Sequence, residues 1–191
     1  MEDLTKEILN SIGNNHTKVQ EKEDFNGNYY SFINDTIYIG KNFEVKKKNK
    51  KMEQLNQDAA RLITVCHECV HSLQKKWIHI LNIILSNASI LLFISYFVCM
   101  FFKSRSMVLA IVTLFAIVFS LVIRMILEFD AISGSINESK KLVEFKKVSN
   151  VSIEDIDKAQ AYMNKYKILA VLSMIYSKLL IALIVIISII I

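Results

Sequence analysis

The sequence predicts a mainly α-helical, membrane-anchored protein with about three transmembrane helices and a small β element near the N-terminus. The 191-residue chain is 53% hydrophobic, and it contains no proline and only 4 glycines. A soluble domain of this size would carry many more turn-forming residues. Much of the apolar excess lies in three long runs, whereas a short Tyr- and Ile-rich stretch precedes them.

The three apolar runs cover residues 78–102, 107–127 and 168–191. Each meets the length of roughly 20 residues that a helix needs to cross about 30 Å of hydrocarbon. The first run contains no Asp, Glu, Lys or Arg, the second contains Arg124, and the third contains Lys178. We therefore expect three spans, with Lys178 as the one deeply placed charge that the composition does not explain.

The polar parts of the chain form three further segments. Residues 1–51 are a polar N-terminal segment in which Thr36–Ile39 reads as a strand ending at Gly40. Apolar residues recur at helical spacing over 52–77, and no helix breaker follows, so this helix is expected to continue into the first span. Residues 128–167 are expected to be polar and helical.

Basic residues are distributed unequally about the spans. Twelve Lys or Arg residues precede Ile78 and seven lie between Glu128 and Lys167, against two in the loop 103–106. The positive-inside rule places the polar segments in the cytoplasm, in a multi-pass membrane protein. The net charge of +5 then faces anionic lipid. Nucleic acid is not expected as a partner, because the lysine runs lack interleaved aromatic residues.

The sequence His67-Glu68-Cys69-Val70-His71 is an HExxH motif. Residues i and i+4 of a helix lie on one face, so both histidines can bind one metal ion, for which zinc is the usual occupant. Glu68 is close enough to accept a proton from an activated water. An ordinary exposed helix is the alternative interpretation of so short a motif.

Catalytic zinc takes a third protein ligand, and Glu128 is the candidate. The short loop 103–106 makes the second span return antiparallel, which brings Glu128 to the face that carries the motif. A carboxylate at a membrane boundary is by default a functional hypothesis. An acid just outside the bilayer is the alternative.

The remaining metal-binding pattern is Cys66-x-x-Cys69, which overlaps the motif. A four-thiolate zinc site needs a second such pair, and a redox pair should begin a helix rather than lie inside one. Cys99, in the first span, is expected to be an apolar core residue.

Several pieces together resemble the YugP-like family of bacterial membrane-bound neutral zinc metallopeptidases, over most of residues 28–191. The matching pieces are the strand, the HExxH helix, the Glu-Phe-Asp-Ala sequence after two spans, and an Ala-x-x-Tyr helix entering a last span: Thr36–Ile39, Ala59–Gln74, Glu128–Ala131 and Ala159–Tyr162. The chain departs from the family at Val70, where a glycine is usual, and in lacking an N-terminal membrane segment.

The resemblance implies a gluzincin-like zinc peptidase. His67, His71 and Glu128 would bind zinc, and Glu68 would be the general base and acid. Asp130 would orient a ligand histidine. The implied partners are a peptide or protein substrate and the lipid bilayer.

Two further roles follow from the mechanism. Tyr162 could donate a hydrogen bond to the oxyanion, with an interfacial aromatic residue as the alternative. The strand Ile37–Ile39 could pair with an extended substrate, or be purely structural. The alternative to a peptidase is a non-catalytic membrane scaffold, either zinc-bound or metal-free, or a metal-binding protein.

Overall fold

The computed structural model describes residues 2–23, 25, 27–40, 56–102, 106–145, 148 and 150–190. Within the last helix it describes the side chains of 153–161, 176 and 178–189. The chain divides into two compact units. The polar unit comprises Met1–Gln74 and Phe129–Tyr166, and the apolar unit comprises Lys75–Glu128 and Lys167–Ile191. The predicted mainly helical fold with a small N-terminal β element is confirmed.

The polar unit begins with a helix and a three-stranded sheet. The strand order is β1-β3-β2, with β3 parallel to β1 and antiparallel to β2. The predicted strand is β3, the central one, and it ends at Gly40 as expected. Strand β1 has a single apolar residue among charged and polar ones, which is why its pattern predicts no strand. The elements are α1 (Glu2–Ser11), β1 (Lys18–Lys22), β2 (Asn28–Ser31) and β3 (Thr36–Gly40).

The hairpin between β2 and β3 turns at Asp35, whose φ of 49° is in the left-handed region that Asp tolerates better than most residues. The Asp35 carboxylate accepts hydrogen bonds from the Tyr30 hydroxyl at 3.0 Å and from the Thr17 hydroxyl at 2.8 Å. The first bond ties the turn to β2, and the second ties it to the residue that precedes β1.

The expectation of one helix from residue 52 into the first span is wrong. Helix α2 (Gln57–Leu73) ends before α3 (Lys76–Phe101) begins, and the residues between them are extended. Gln74 has a ψ of 147°, and its backbone N–H donates to the His71 carbonyl. The Gln74 side chain also bonds to His71 and to Asp130. We attribute the break to these two bonds, because residues 72–77 contain neither proline nor glycine.

The two long helices that follow are continuous. Helix α4 spans Met107–Glu144, so the second apolar run and the start of the polar segment after it belong to one uninterrupted helix. Helix α5 spans Ile153–Ile190. Ser152 and Asp155 form a capping box at its start: the Asp155 N–H donates to the Ser152 hydroxyl at 3.1 Å, and the Ser152 N–H donates to the Asp155 carboxylate at 3.0 Å.

The apolar unit contains two helices that are long and apolar enough to span a membrane, α3 and α4. Large apolar side chains on both are exposed, including Leu91 at 65% and Phe115 at 61%. The predicted third span lies in α5, where many of the side chains fall outside the described residues; Lys178–Ile189 is a shorter apolar stretch. Inside the unit, the Tyr96 hydroxyl is 2.8 Å from the Ser188 hydroxyl.

The core of the polar unit joins α2 to the sheet and to the polar part of α4. One close approach in it involves Val70, which directly precedes His71 on α2. A Cβ atom on Gly134 of α4 would lie 2.9 and 3.0 Å from the two Val70 methyl groups. The valine is accommodated because Gly134 has no side chain. The buried residues of this core include Ile8, Leu9, Ile37, Ile39, Leu62, Val65, Cys66, Ile132, Ile136, Leu142 and Ile156.

Gly134→Ala is expected to destabilise the protein although alanine is the better helix former. Helix propensity favours alanine by about 1 kcal/mol, whereas overpacking a core typically costs 1–3 kcal/mol, roughly. The free energy of unfolding, measured by circular dichroism in detergent, should therefore fall. The double variant with Val70→Ala should be less destabilised than the sum of the two single variants. Additive effects would contradict a contact between these residues.

Candidate metal centre

Three predicted ligands come together in the structure. His67, His71 and Glu128 each offer one ligand atom, and these atoms all lie within 4.8 Å of one another. The histidines are half-buried on α2, and Glu128 is buried, with 3% of its surface exposed. This group could hold a metal ion.

The histidine geometry suits a shared ligand. The Nε2 atoms of His67 and His71 are 3.1 Å apart, with ring planes at 86° to each other. Two nitrogens bound to one tetrahedral zinc at about 2.0–2.1 Å would be separated by roughly 3.3 Å. The two imidazoles are therefore spaced as a chelating pair requires, and their donor set with a carboxylate suits zinc.

Glu128 has a neighbouring cation that sequence reasoning did not connect with it. The Arg124 Nη2 atom lies 2.8 Å from the Glu128 Oε1 atom, one turn back along α4. A buried carboxylate needs such compensation, since an unpaired buried charge is costly. The pairing also limits the directions in which the carboxylate can point. The i,i+4 spacing of Arg124 and Glu128 was the available signal.

Asp130, which the resemblance predicts to orient a ligand histidine, is linked to His71 through Gln74. The Gln74 Nε2 atom donates to the Asp130 carboxylate at 2.8 Å, and the Gln74 Oε1 atom lies 2.8 Å from His71 Nδ1. Because a carboxylate only accepts, the Gln74 amide oxygen must face His71 and accept a hydrogen bond from Nδ1–H. In the neutral imidazole this tautomer leaves Nε2, the nitrogen nearest His67, without a proton and able to bind a metal.

Replacing Gln74 by Leu is expected to weaken metal binding by about tenfold or more, the usual effect of losing a partner that orients a ligand. Asp130→Leu should act in the same direction. Asp130→Asn is the matched control, because its amide oxygen can still accept from Gln74. Competition against a chromophoric zinc chelator at fixed pH would measure the affinity. Unchanged affinity in Gln74→Leu would show that the His71 ring does not depend on this link.

Glu68 contacts the sheet. Its Oε2 atom accepts a hydrogen bond from the Tyr30 backbone N–H at 2.7 Å. Tyr30 belongs to β2, which is an edge strand of the sheet, whereas β3 has a neighbour on each side. Pairing of a substrate with Ile37–Ile39 is therefore wrong, because both edges of β3 are occupied. Burial and the bond to Asp35 raise the pKa of the Tyr30 hydroxyl, so the ring stays neutral.

The two cysteines of α2 are free thiols in the core. Burial raises the pKa of the Cys66 thiol to about 12 and that of Cys69 well above its usual value. A thiol that is protonated at neutral pH is a poor nucleophile and a poor metal ligand. Their positions and chemistry fit packing, as the absence of a second Cys-x-x-Cys pair in the sequence indicated.

Tyr162 lies in α5, but its side chain is outside the described residues, so its role remains a prediction. No known protein family, curated protein or solved structure matches this chain.

Proposed function

We propose that this protein is a membrane-bound, zinc-dependent peptidase in which His67, His71 and Glu128 hold the metal and Glu68 is the general base. The observation that carries the proposal is the grouping of these three ligands within 4.8 Å, with Glu68 beside His67 on the same helix. The resemblance of the sequence motifs to those of YugP-like peptidases implies the same roles.

When bound, zinc would supply a Lewis acid that activates a water and polarises a carbonyl. The carboxylate of Glu68 would accept the proton of the attacking water and deliver it to the leaving amine. His71 would keep its ring orientation through Gln74 and Asp130. Arg124 would hold the Glu128 carboxylate in place.

The substrate proposed is a peptide or protein segment, bound in an extended conformation. The sheet edge that lies nearest Glu68 belongs to β2, because the Tyr30 N–H reaches that carboxylate. The Tyr30 N–H is already bonded to Glu68, so an extended segment could pair by strand addition with the remaining backbone groups of this edge, which supplies affinity through backbone hydrogen bonds. This assigns to β2 the role that the sequence suggested for β3.

A non-catalytic metal-binding scaffold is the second candidate, and one observation favours it. The bond from Tyr30 to Glu68 gives this glutamate a structural use, since it anchors the hairpin to α2. In a scaffold, Glu68 would be needed for stability and not for chemistry. The two candidates therefore differ in what Glu68 does.

The deciding experiment measures bound zinc and peptide hydrolysis on the same detergent-purified protein. A peptidase should contain about one zinc per chain and hydrolyse a library of fluorogenic peptides, with both properties lost in His67→Ala. Zinc without hydrolysis of any peptide or protein tested would favour the scaffold. Absence of any bound metal would remove both candidates.

The proposed location is a bacterial plasma membrane, with both polar segments and the metal centre on the cytoplasmic side. The exposed apolar side chains of α3 and α4 suit lipid, and nineteen basic residues flank the predicted spans on one side against two on the other. Three spans would place the N-terminus inside the cell and Ile191 outside.

Cysteine labelling in intact cells should reveal this topology. An impermeant maleimide is expected to label Ser104→Cys and to spare Asn150→Cys, because the short loop 103–106 would face outward. Both sites should react after permeabilisation, and the parent protein corrects for its own cysteines. Labelling of Asn150→Cys alone in intact cells would invert the topology and put the metal centre outside.

A further inference from the structure

The apolar unit contains an imbalance of charge. Over residues 75–128 and 167–191 the sequence has a single acid, Glu128. The apolar runs themselves contain two cations, Arg124 and Lys178. Ionisable groups in such segments are costly and usually mark a functional site with a specific partner. One acid cannot neutralise both cations, and it is also the predicted metal ligand.

Helix α4 places three polar groups in a stripe. Ser120, Arg124 and Glu128 follow one another at intervals of four residues, so they lie on one face. Arg124 is paired with Glu128 at one end of this stripe. At the other end, Lys178 of α5 donates a hydrogen bond to the Ser120 hydroxyl. At about 1.5 Å per residue, Ser120 lies about 12 Å from Glu128 along the axis of α4, and the Lys178 ammonium group lies beside Ser120.

The packing of the two helices holds Lys178 at that depth. Ile181 and Ala182, one turn further along α5, pack against Ile117 and Leu121 of α4. Ser120 fixes the ammonium beside these apolar residues, although a lysine stem could extend toward the boundary. Within the part of the chain that the structure describes, no carboxylate forms an ion pair with Lys178. A hydroxyl satisfies one of its three donors and none of its charge.

We propose that Lys178 and Ser120, aided by the charge of Arg124, bind the C-terminal carboxylate of an apolar peptide substrate. This inference rests on the proposed peptidase function and deepens it. Charge complementarity requires an anion, and the depth of Lys178 within the apolar segment determines which kind of anion can reach it. A phospholipid phosphate lies at the membrane surface, whereas the carboxylate at the end of an apolar segment can reach the ammonium two turns inside the boundary residue Glu128.

The distance between Glu128 and Lys178 also determines how many substrate residues fit between them. An extended peptide advances at most about 3.3–3.6 Å per residue, so the 12 Å from Glu128 to Lys178 corresponds to roughly three or four residues. The substrate class is therefore an apolar chain that is cut a few residues before its free C-terminus. An amide at that terminus would leave the cation without a counter-charge.

The test uses the full-length, zinc-loaded protein in phosphatidylcholine nanodiscs, with matched apolar fluorogenic peptides that end in a carboxylate or an amide. Wild type should prefer the carboxylate by about tenfold or more in KM, because loss of one partner of a desolvated ion pair is costly. Lys178→Met should abolish the preference by weakening the acid peptide alone. Lys178→Arg should restore part of it, and Lys75→Met, an exposed cation of the same unit, is the matched control.

Peptide binding to Glu68→Gln, followed by fluorescence polarisation, gives a readout that does not require hydrolysis. Equal KM for the two peptides, with normal turnover, would overturn the carboxylate site and leave the peptidase intact. A Lys178-dependent preference in binding without turnover in wild type would support the site and count against the peptidase. If phosphatidylglycerol in the nanodisc removes the preference by competition, a lipid phosphate is the occupant and the proposal is wrong.

Discussion

Glu68→Gln is expected to retain zinc and to lose at least about 10²–10⁴-fold in kcat, the range attributed to general acid–base catalysis. The amide cannot accept the proton of the attacking water. Its oxygen can still accept the hydrogen bond from the Tyr30 N–H, which Glu68 accepts at 2.7 Å. The variant should therefore keep its fold and its metal. Zinc content and turnover of one preparation would be measured together.

Glu68→Ala is the informative companion, because it removes both the base and the contact with β2. We expect it to be as inactive as Glu68→Gln and less stable, since the part-buried Tyr30 N–H loses its acceptor, a loss that costs about 1–3 kcal/mol for a fully buried donor and less here. A scaffold would give a different pair of results: no catalytic difference from wild type and a stability change in Glu68→Ala alone. Equal turnover by wild type and Glu68→Gln would end the mechanism proposed above.

Glu128→Ala is expected to lower zinc affinity by more than tenfold, since even partners that only orient a ligand are worth about 10–100-fold. The change also leaves Arg124 without the carboxylate it contacts at 2.8 Å. Isothermal titration with zinc would report the affinity, and thermal unfolding would report any loss of stability.

Two variants separate these effects. Glu128→Gln keeps an acceptor for Arg124 but offers the metal a weaker, neutral ligand, so it should lose affinity with less loss of stability. Glu144→Ala removes an exposed acid from the same helix and should leave the metal unaffected. Stoichiometric zinc in Glu128→Ala, bound as tightly as in wild type, would exclude Glu128 from the site.

Apolar runs and helical spacing made much of the fold, and the grouping of the candidate metal ligands, predictable. Uninterrupted apolar runs predict the helices of the apolar unit, and the spacing of His67 and His71 needs only helix geometry to bring their Nε2 atoms to 3.1 Å. Glu128 required one further step, the antiparallel return forced by a short loop. Such features depend on local conformation and chain connectivity, which a sequence encodes directly.

Features that depend on tertiary contacts were not predictable in this way. No proline or glycine marks the end of α2 after Leu73 in the sequence. Gln74 instead bonds to Asp130, which is 56 residues away in the chain. The order of the strands places β3 in the centre, so the strand that was easiest to recognise is the one with no open edge. Both outcomes depend on partners that no local pattern specifies.

The close approach of Gly134 to Val70 also makes these two positions interdependent in any redesign of the chain. With valine at 70, a Cβ at 134 would come within 2.9 Å of a Val70 methyl group. A larger residue at 134 therefore requires a smaller residue at 70, so a library that aims to stabilise this protein should vary the two positions together and not one at a time.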